Sequence, residues 1–177
     1  YYQRAGSNYC LRLYLDHSRL YHEGGLLATV NFLARDWTVV DHSDGELRAN
    51  SFVLDSGALY NLMGRATLNA SNITIGNQGF LQMYGGGAVV GNTILDMRTN
   101  AMLVSHGGNY EFGILRVSGN SSITFANRST TLRFRRVGHG NGTLDRALIV
   151  YHWDQGIDHF YAGTVTDSQL RLITFVD

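Results

Sequence analysis

The chain has 177 residues, 44% of them hydrophobic, with 14 acidic side chains balanced by 14 basic ones. That length and apolar content fit one domain with enough material for a core. Zero formal charge excludes a general polyanion binder, whose basic face shows as an excess.

No apolar run approaches the roughly 18 residues that a membrane-spanning helix needs. The single Cys10 has no partner for an internal disulfide and reads as a small buried residue. All 14 basic residues are arginine and proline is absent, which suits regularly paired strands, since proline interrupts their ladders. The chain starts without Met or a signal sequence, as expected of a processed chain or a fragment.

Residues 1–9 show no periodicity and read as an arm or a terminal strand. From Cys10 to Tyr21 apolar and polar residues alternate, the period of a strand with one buried face. Leu15 to Tyr21 (L-D-x-x-x-L-Y) matches Leu54 to Tyr60, and a further copy starts near Leu27 with Phe32 and Ala34 at its apolar positions. Three segments then overlay almost without gaps: Leu47–Gly64, Leu68–Gly85 and Val90–Gly107, whose starts lie 21 and 22 residues apart. Their shared columns are an apolar opener (Leu47, Leu68, Val90), an apolar pair (Phe52 and Leu54, Ile73 and Ile75, Leu95 and Met97), a small residue (Ala58, Gly79, Ala101) and a closing glycine. Self-similarity at this period is the signature of a stacked repeat. After Gly107 the register loosens: Gly108 to Gly113 reads as an insertion, and Ile123 and Phe125 as the next apolar pair. No helical stripe is present.

About 20 residues per copy make one coil of three short strands, which buries its apolar side chains and backbone edges only by stacking on its neighbours. The predicted fold is all-β: a right-handed single-stranded parallel β-helix (β-solenoid) of about five to six coils. Residues 1–137 form the coils, and residues 138–177 form a distinct strand segment that closes the solenoid or docks the next subunit.

Candidate functional residues are sparse. Asn50-Ser51, Ser71-Asn72, Asn92-Thr93 and Asn120-Ser121-Ser122 fall at one phase of the repeat, where stacked Asn turns form ladders. The same residues belong to glycosylation-type triplets at Asn69, Asn72, Asn120, Asn127 and Asn141; turn chemistry generates these as a by-product, and glycan attachment is the alternative. Asp16, Asp36, Asp55 and Asp96 sit mid-copy, but no two are placed as the flanking carboxylates of a sugar hydrolase. His152-Trp153-Asp154 with Asp158-His159 is the densest histidine group and lacks a metal-ligand spacing. Arg133 and Arg135 share an outer face, where pairing with acids of an adjacent coil is expected and contact with a phosphate or polyanion is the alternative. No enzyme activity, cofactor or metal is expected, and neither nucleic acid binding nor membrane insertion.

The last segment carries a resemblance. Ile149, Trp153, Gly156, Asp158, Phe160, Gly163, Gln169, Leu170, Ile173 and Phe175, within Thr143–Asp177, are similar to the closing segment of bacterial extracellular β-helix proteins of the autotransporter-associated repeat and PEP-CTERM-anchored kind. In that segment a Trp-containing strand leads through G-x-D-x-x-x-x-G to Q-L-x-x-I-x-F. The match covers about a fifth of the chain, and the sorting helix or barrel that follows in that group is not among these residues. The resemblance implies a secreted, surface-associated protein without catalytic residues.

An open coil end invites another chain. The expected assembly surfaces are therefore Leu11, Leu13 and Leu15 at one end and Trp153, Phe160 and Phe175 at the other. Through them copies of this chain join head to tail, as a filament or surface protein. The other readings are a carbohydrate-binding or polysaccharide-degrading β-helix with Tyr60, Tyr84 and Tyr110 as outer sugar platforms, and an attachment fibre like a phage tailspike.

Overall fold

A computed structural model describes residues 1–126, 129–138 and 146–177. The backbone is a parallel β-solenoid of about eight turns. The first turn holds β1 (Tyr2–Gln3) and β2 (Ser7–Asp16), the second β3 (Arg19–Arg35) and the third β4 (Val39–Leu54). The fourth holds β5 (Leu59–Leu62) and β6 (Thr67–Ile75), and the fifth β7 (Phe80–Tyr84), β8 (Ala88–Val90) and β9 (Ile94–Met97). Then come β10 (Met102–His106) with β11 (Gly108–Val117), β12 (Ser121–Phe125) with β13 (Thr130–Val137), and β14 (Leu148–Tyr151) with β15 (His159–Thr164). A single helical turn, α1 (Asp167–Leu170), and β16 (Ile173–Val176) end the chain.

Each coil presents three faces, and every ladder between coils is parallel. On the first face β5, β7, β10, β12, β14 and β16 stack in order. The second face runs through residues 7–10, 26–29, 46–49, 67–70 and β8, against which the first half of β11 lies, and continues into β13 and β15. The third face runs through residues 12–16, 31–35, 51–54, 72–75, β9 and 114–117. Parallel pairing in register sets like residues above one another. Leu13, Phe32, Phe52, Ile73, Leu95, Leu115 and Val137 form one inward column. Leu20, Val40, Tyr60, Leu81, Leu103, Ile123 and Val150 form another. Within the first of these columns Phe32 and Phe52 stack at 4.5 Å, and the edge of Tyr60 meets Phe52 at 4.9 Å, geometries that aromatic quadrupoles favour.

The apolar pairs from Phe32 to Met97 stack as the repeat predicts, but four details differ. The third opener is Val89, which pairs with Leu68, and Val90 is 43% exposed. Gly108 to Gly113 is no insertion: it lies within β11, and the apolar pair above Leu95 and Met97 is Leu115 and Val117. Ile123 and Phe125 belong to the first face, above Leu103 and Ser105. The match of Leu15–Tyr21 to Leu54–Tyr60 slips at its end, because Leu20, not Tyr21, stands in the column of Tyr60. Reading Ile123 into the wrong face merged two coils, and β14 and β15 add a further turn by pairing with β12 and β13. Hence about eight turns instead of five to six.

The corners explain the spacing. Asp36 and Trp37, Ser56 and Gly57, and Asn77 and Gln78 all have positive φ, the mark of type I′ turns. These turns close through Thr38 N–H to Arg35 O, Ala58 N–H to Asp55 O and Gly79 N–H to Gly76 O, and stack through Trp37 N–H to Ser56 O and Gly57 N–H to Asn77 O. The Asn ladder expected at the other phase is not what stacks: Asn72 lies within β6 and donates to Thr74 Oγ1 at 3.2 Å. At another corner Gly45 has φ +81°, and a Cβ there would lie 2.4 Å from Gly25 O.

Two stability outcomes follow, both measured by urea unfolding. Phe52→Ala removes a ring packed between coils and costs about 3–5 kcal/mol. Gly45→Ala forces a side chain into left-handed backbone, costing about 1–3 kcal/mol before the clash with Gly25 is counted.

Candidate functional site

The N-terminal coil is the least finished part of the molecule. Among the described residues β2 has β3 on one side and no strand on the other. Leu13 and Leu15 occupy core columns yet are only partly buried, and Leu11 points outward at 77% exposure. Tyr9, at 73%, extends this apolar strip. Cys10 belongs to the same strand and is exposed, contrary to the buried position read from its chemistry: no described element covers that side of β2.

The C-terminal end is closed differently. Trp153 and Phe175 lie 4.9 Å apart, Phe160 and Phe175 5.9 Å, and Phe160 reaches Phe134 of the preceding coil at 5.4 Å. The three aromatic residues singled out at this end thus form one cluster, with Trp153 and Phe160 packed on the core and Phe175 44% exposed. Asp158 is buried beneath it, accepting from the backbone N–H of Thr130 at 3.0 Å and of Asp154 at 3.2 Å. That is a structural use of the densest histidine-aspartate motif. Gln169 of α1, within a capping box with Thr166, donates to Val137 O at 3.3 Å, so part of the third-face edge is satisfied by a side chain.

Two of the four mid-copy acids, Asp16 and Asp36, come together, which sequence spacing did not show, while Asp96 pairs with Arg98 elsewhere. Arg35 stands directly above Asp16 and bonds Asp16 Oδ2 at 3.0 Å and Asp36 Oδ2 at 3.3 Å, while His17 Nδ1 lies 2.7 Å from Asp16 Oδ1. The hydrogen bond from His17, then Arg35, holds the exposed Asp16 carboxyl below its usual range. A cation here would have to displace Arg35, so the trio reads as an ion-pair network. Arg133 and Arg135 are exposed on β13, as the alternation implies. Arg135 Nε donates to Glu111 Oε1 of the adjacent coil at 2.6 Å, whereas Arg133, contrary to the expected pairing, has no acid partner among the described residues and lies over the Tyr161 ring.

Of the glycosylation-type triplets, Asn69 donates to Glu46 Oε1 at 3.0 Å, Asn72 is engaged within its strand, and Asn120 is exposed at a bend. Asn127 and Asn141 lie outside the described residues. Two of the three tyrosines read as outer platforms are not outer: Tyr60 is fully buried and Tyr110 is 3% exposed. Tyr84 is half-buried beneath a stacked His106 ring at 4.3 Å.

One feature gave no sequence signal. His22 and His42 occupy adjacent positions of an inward column, both fully buried, with rings stacked at 4.4 Å. His42 Nδ1 is 2.6 Å from the Tyr60 hydroxyl and Nε2 is 3.1 Å from Gly45 O, the pattern of a neutral ring donating through Nε2 and accepting at Nδ1. Burial, with His22 beside it, pushes His42 down to about 3. Burial lowers His22 as well.

Comparison with protein-family models, with curated proteins and with solved structures gave no match.

The histidines set a pH dependence. Both are neutral when folded and take up a proton when unfolded below about pH 6.5. Stability contributed by the neutral pair is therefore full above that pH and declines as pH falls towards about 3 for His42. The decline approaches about 1.4 kcal/mol per pH unit for this residue. Urea midpoints should fall between pH 6.5 and 5, above the range where carboxylates titrate. The His22→Leu/His42→Leu variant should flatten that fall, since Leu62 already occupies the next position of the column.

Proposed function

We propose that this chain is a non-enzymatic structural protein. It is a right-handed solenoid rod that works outside the cell, on a surface or in a filament, and associates head to tail through its coil ends. The observation that carries the reading is the outer edge of the first described coil. β2 offers an unpaired strand edge, and beneath it the columns of Leu13 and Leu15 end partly bare. Exposed edges of this kind are normally blunted by proline, charge or a covering element; β2 has no proline, its residues 7–11 are uncharged, and its charges are confined to Arg12 and Asp16.

All ladders are parallel, so a second copy added along the axis continues each ladder in the same sense. The contact is heterologous and does not close on itself. The Trp153, Phe160 and Phe175 cluster, with Phe175 and Val176 at 44% and 38% exposure, is the apolar surface that meets the first coil. The C-terminal resemblance to surface-associated bacterial β-helix proteins supports the same reading. Right-handed winding follows the sense that parallel crossovers take.

Analytical ultracentrifugation and negative-stain microscopy at neutral pH test it. Mass should rise with concentration and particles should lengthen at constant width. Leu13→Glu/Leu15→Glu should return the protein to monomers, with its circular dichroism retained. Monodisperse monomers over a wide concentration range overturn the reading, and so does a stable trimer, which is the mark of an attachment fibre.

A further inference from the structure

We propose that the flank of the sixth to eighth coils binds an acidic oligosaccharide, a chain of sugar rings bearing carboxylates. The inference is independent of end-to-end assembly, because it concerns a side of the rod. Side chains alternate in and out along a strand, so outward residues of stacked coils form rows across the second face. Register sets Asn109, Thr131 and His159 in one row, and Glu111, Arg133 and Tyr161 in the next. Between them lies a cleft of about 400 Å³ lined by Asn109, Tyr110, Glu111, Thr131, Arg133 and Tyr161. Its floor is fixed: Tyr110 is buried and donates its hydroxyl to Tyr84 O at 2.8 Å.

Arg133 gives the cleft its chemistry. Its guanidinium carbon lies 4.8 Å from the centroid of the Tyr161 ring, and no carboxylate pairs with it among the described residues. Glu111, the residue paired with it across the ladder, is held by Arg135 instead. A guanidinium laid over a ring keeps its in-plane N–H donors available, and a carboxylate accepts two of them side by side. Tyr161 is 45% exposed and offers an apolar ring with a polar tip, a surface for the C–H face of a sugar. Asn109 and Thr131 supply an amide and a hydroxyl that both donate and accept, as sugar hydroxyls require.

Two other ligands fit less well. A neutral glycan leaves the Arg133 charge unused. Nucleic acid is held mainly through a row of phosphates, which calls for several unpaired cations in line, whereas this cleft holds one, enough for the carboxylate of the single sugar ring seated on Tyr161.

Calorimetric titration of the whole chain with a galacturonate hexamer at low salt tests the site. Saturable binding is expected. Arg133→Ala and Tyr161→Ala should each weaken it by about tenfold or more, and Arg133→Lys by less. Trp37→Ala, which removes an exposed aromatic at another corner, should leave it unchanged. A cellulose hexamer should bind about tenfold more weakly. Both cleft side chains are exposed, so melting curves should match the unaltered protein. The proposal is overturned by absent saturation, by equal binding of the neutral hexamer, or by an affinity that survives both alanine variants. It is overturned equally by loss in Trp37→Ala, or by tighter binding of single-stranded oligothymidylate than of the uronate.

Discussion

Everything in this molecule depends on one constraint: the backbone of each coil is hydrogen-bonded by the coils before and after it. Unpaired backbone groups are costly to bury, so neighbouring coils must stay in parallel register over most of their length. Register in turn decides side-chain packing, because residues paired across a ladder point the same way. That is why Phe52 sits between Phe32 and Ile73, and why His42 sits directly above His22. A one-residue slip would turn an inward column outward. The tight corners absorb length differences without such a slip.

Those corners also account for where unusual backbone is found. Left-handed residues are concentrated between faces, at Asp36–Trp37, Ser56–Gly57 and Asn77–Gln78, where the chain must reverse within two residues. Gly25 and Gly45 mark a second kind of corner, where the backbones of adjacent coils come too close for a side chain. Polar residues at the corners bond the backbone and one another, and the longer charged pairs, such as Arg19 with Asp41 and Arg135 with Glu111, lie across coils on the outer face. Exposed pairs of this sort add little stability; the weight is carried by the interior columns.

The ladder constraint distributes the chemistry of the chain. Interior positions are taken by packing, and buried polar exceptions such as His22, His42 and Asp158 are absorbed in stacking or in backbone hydrogen bonds. The ends are where the ladders stop, and they differ: a bare strand edge at Leu11–Leu15 and an aromatic cluster with a capping turn at Trp153–Gln169. The flanks carry rows of outward side chains, and where three coils bring Asn109, Arg133 and Tyr161 together they form a cleft with mixed charge, hydroxyl and aromatic character.

The fold class was legible in the sequence because stacking repeats its demands. The apolar pairs Phe32–Ala34, Phe52–Leu54, Ile73–Ile75 and Leu95–Met97 recur at coil length, and each copy alone cannot bury them. The sequence also determined the outward placement of Arg133 and Arg135 by alternation. Once corner lengths varied, periodicity no longer told one face from another, so Ile123 was assigned to the wrong face and two coils merged. Tyr60 and Tyr110 looked like outer aromatics for the same reason, since a tyrosine's direction depends on a register that only paired strands fix. Neighbours one coil or more apart in sequence, including Asp16 with Arg35 and Asp36, His22 with His42, and Arg133 with Tyr161, were decided by the tertiary structure alone. Coil-to-coil pairing brings such residues together, and no local pattern records which residue of the next coil will stand above a given one.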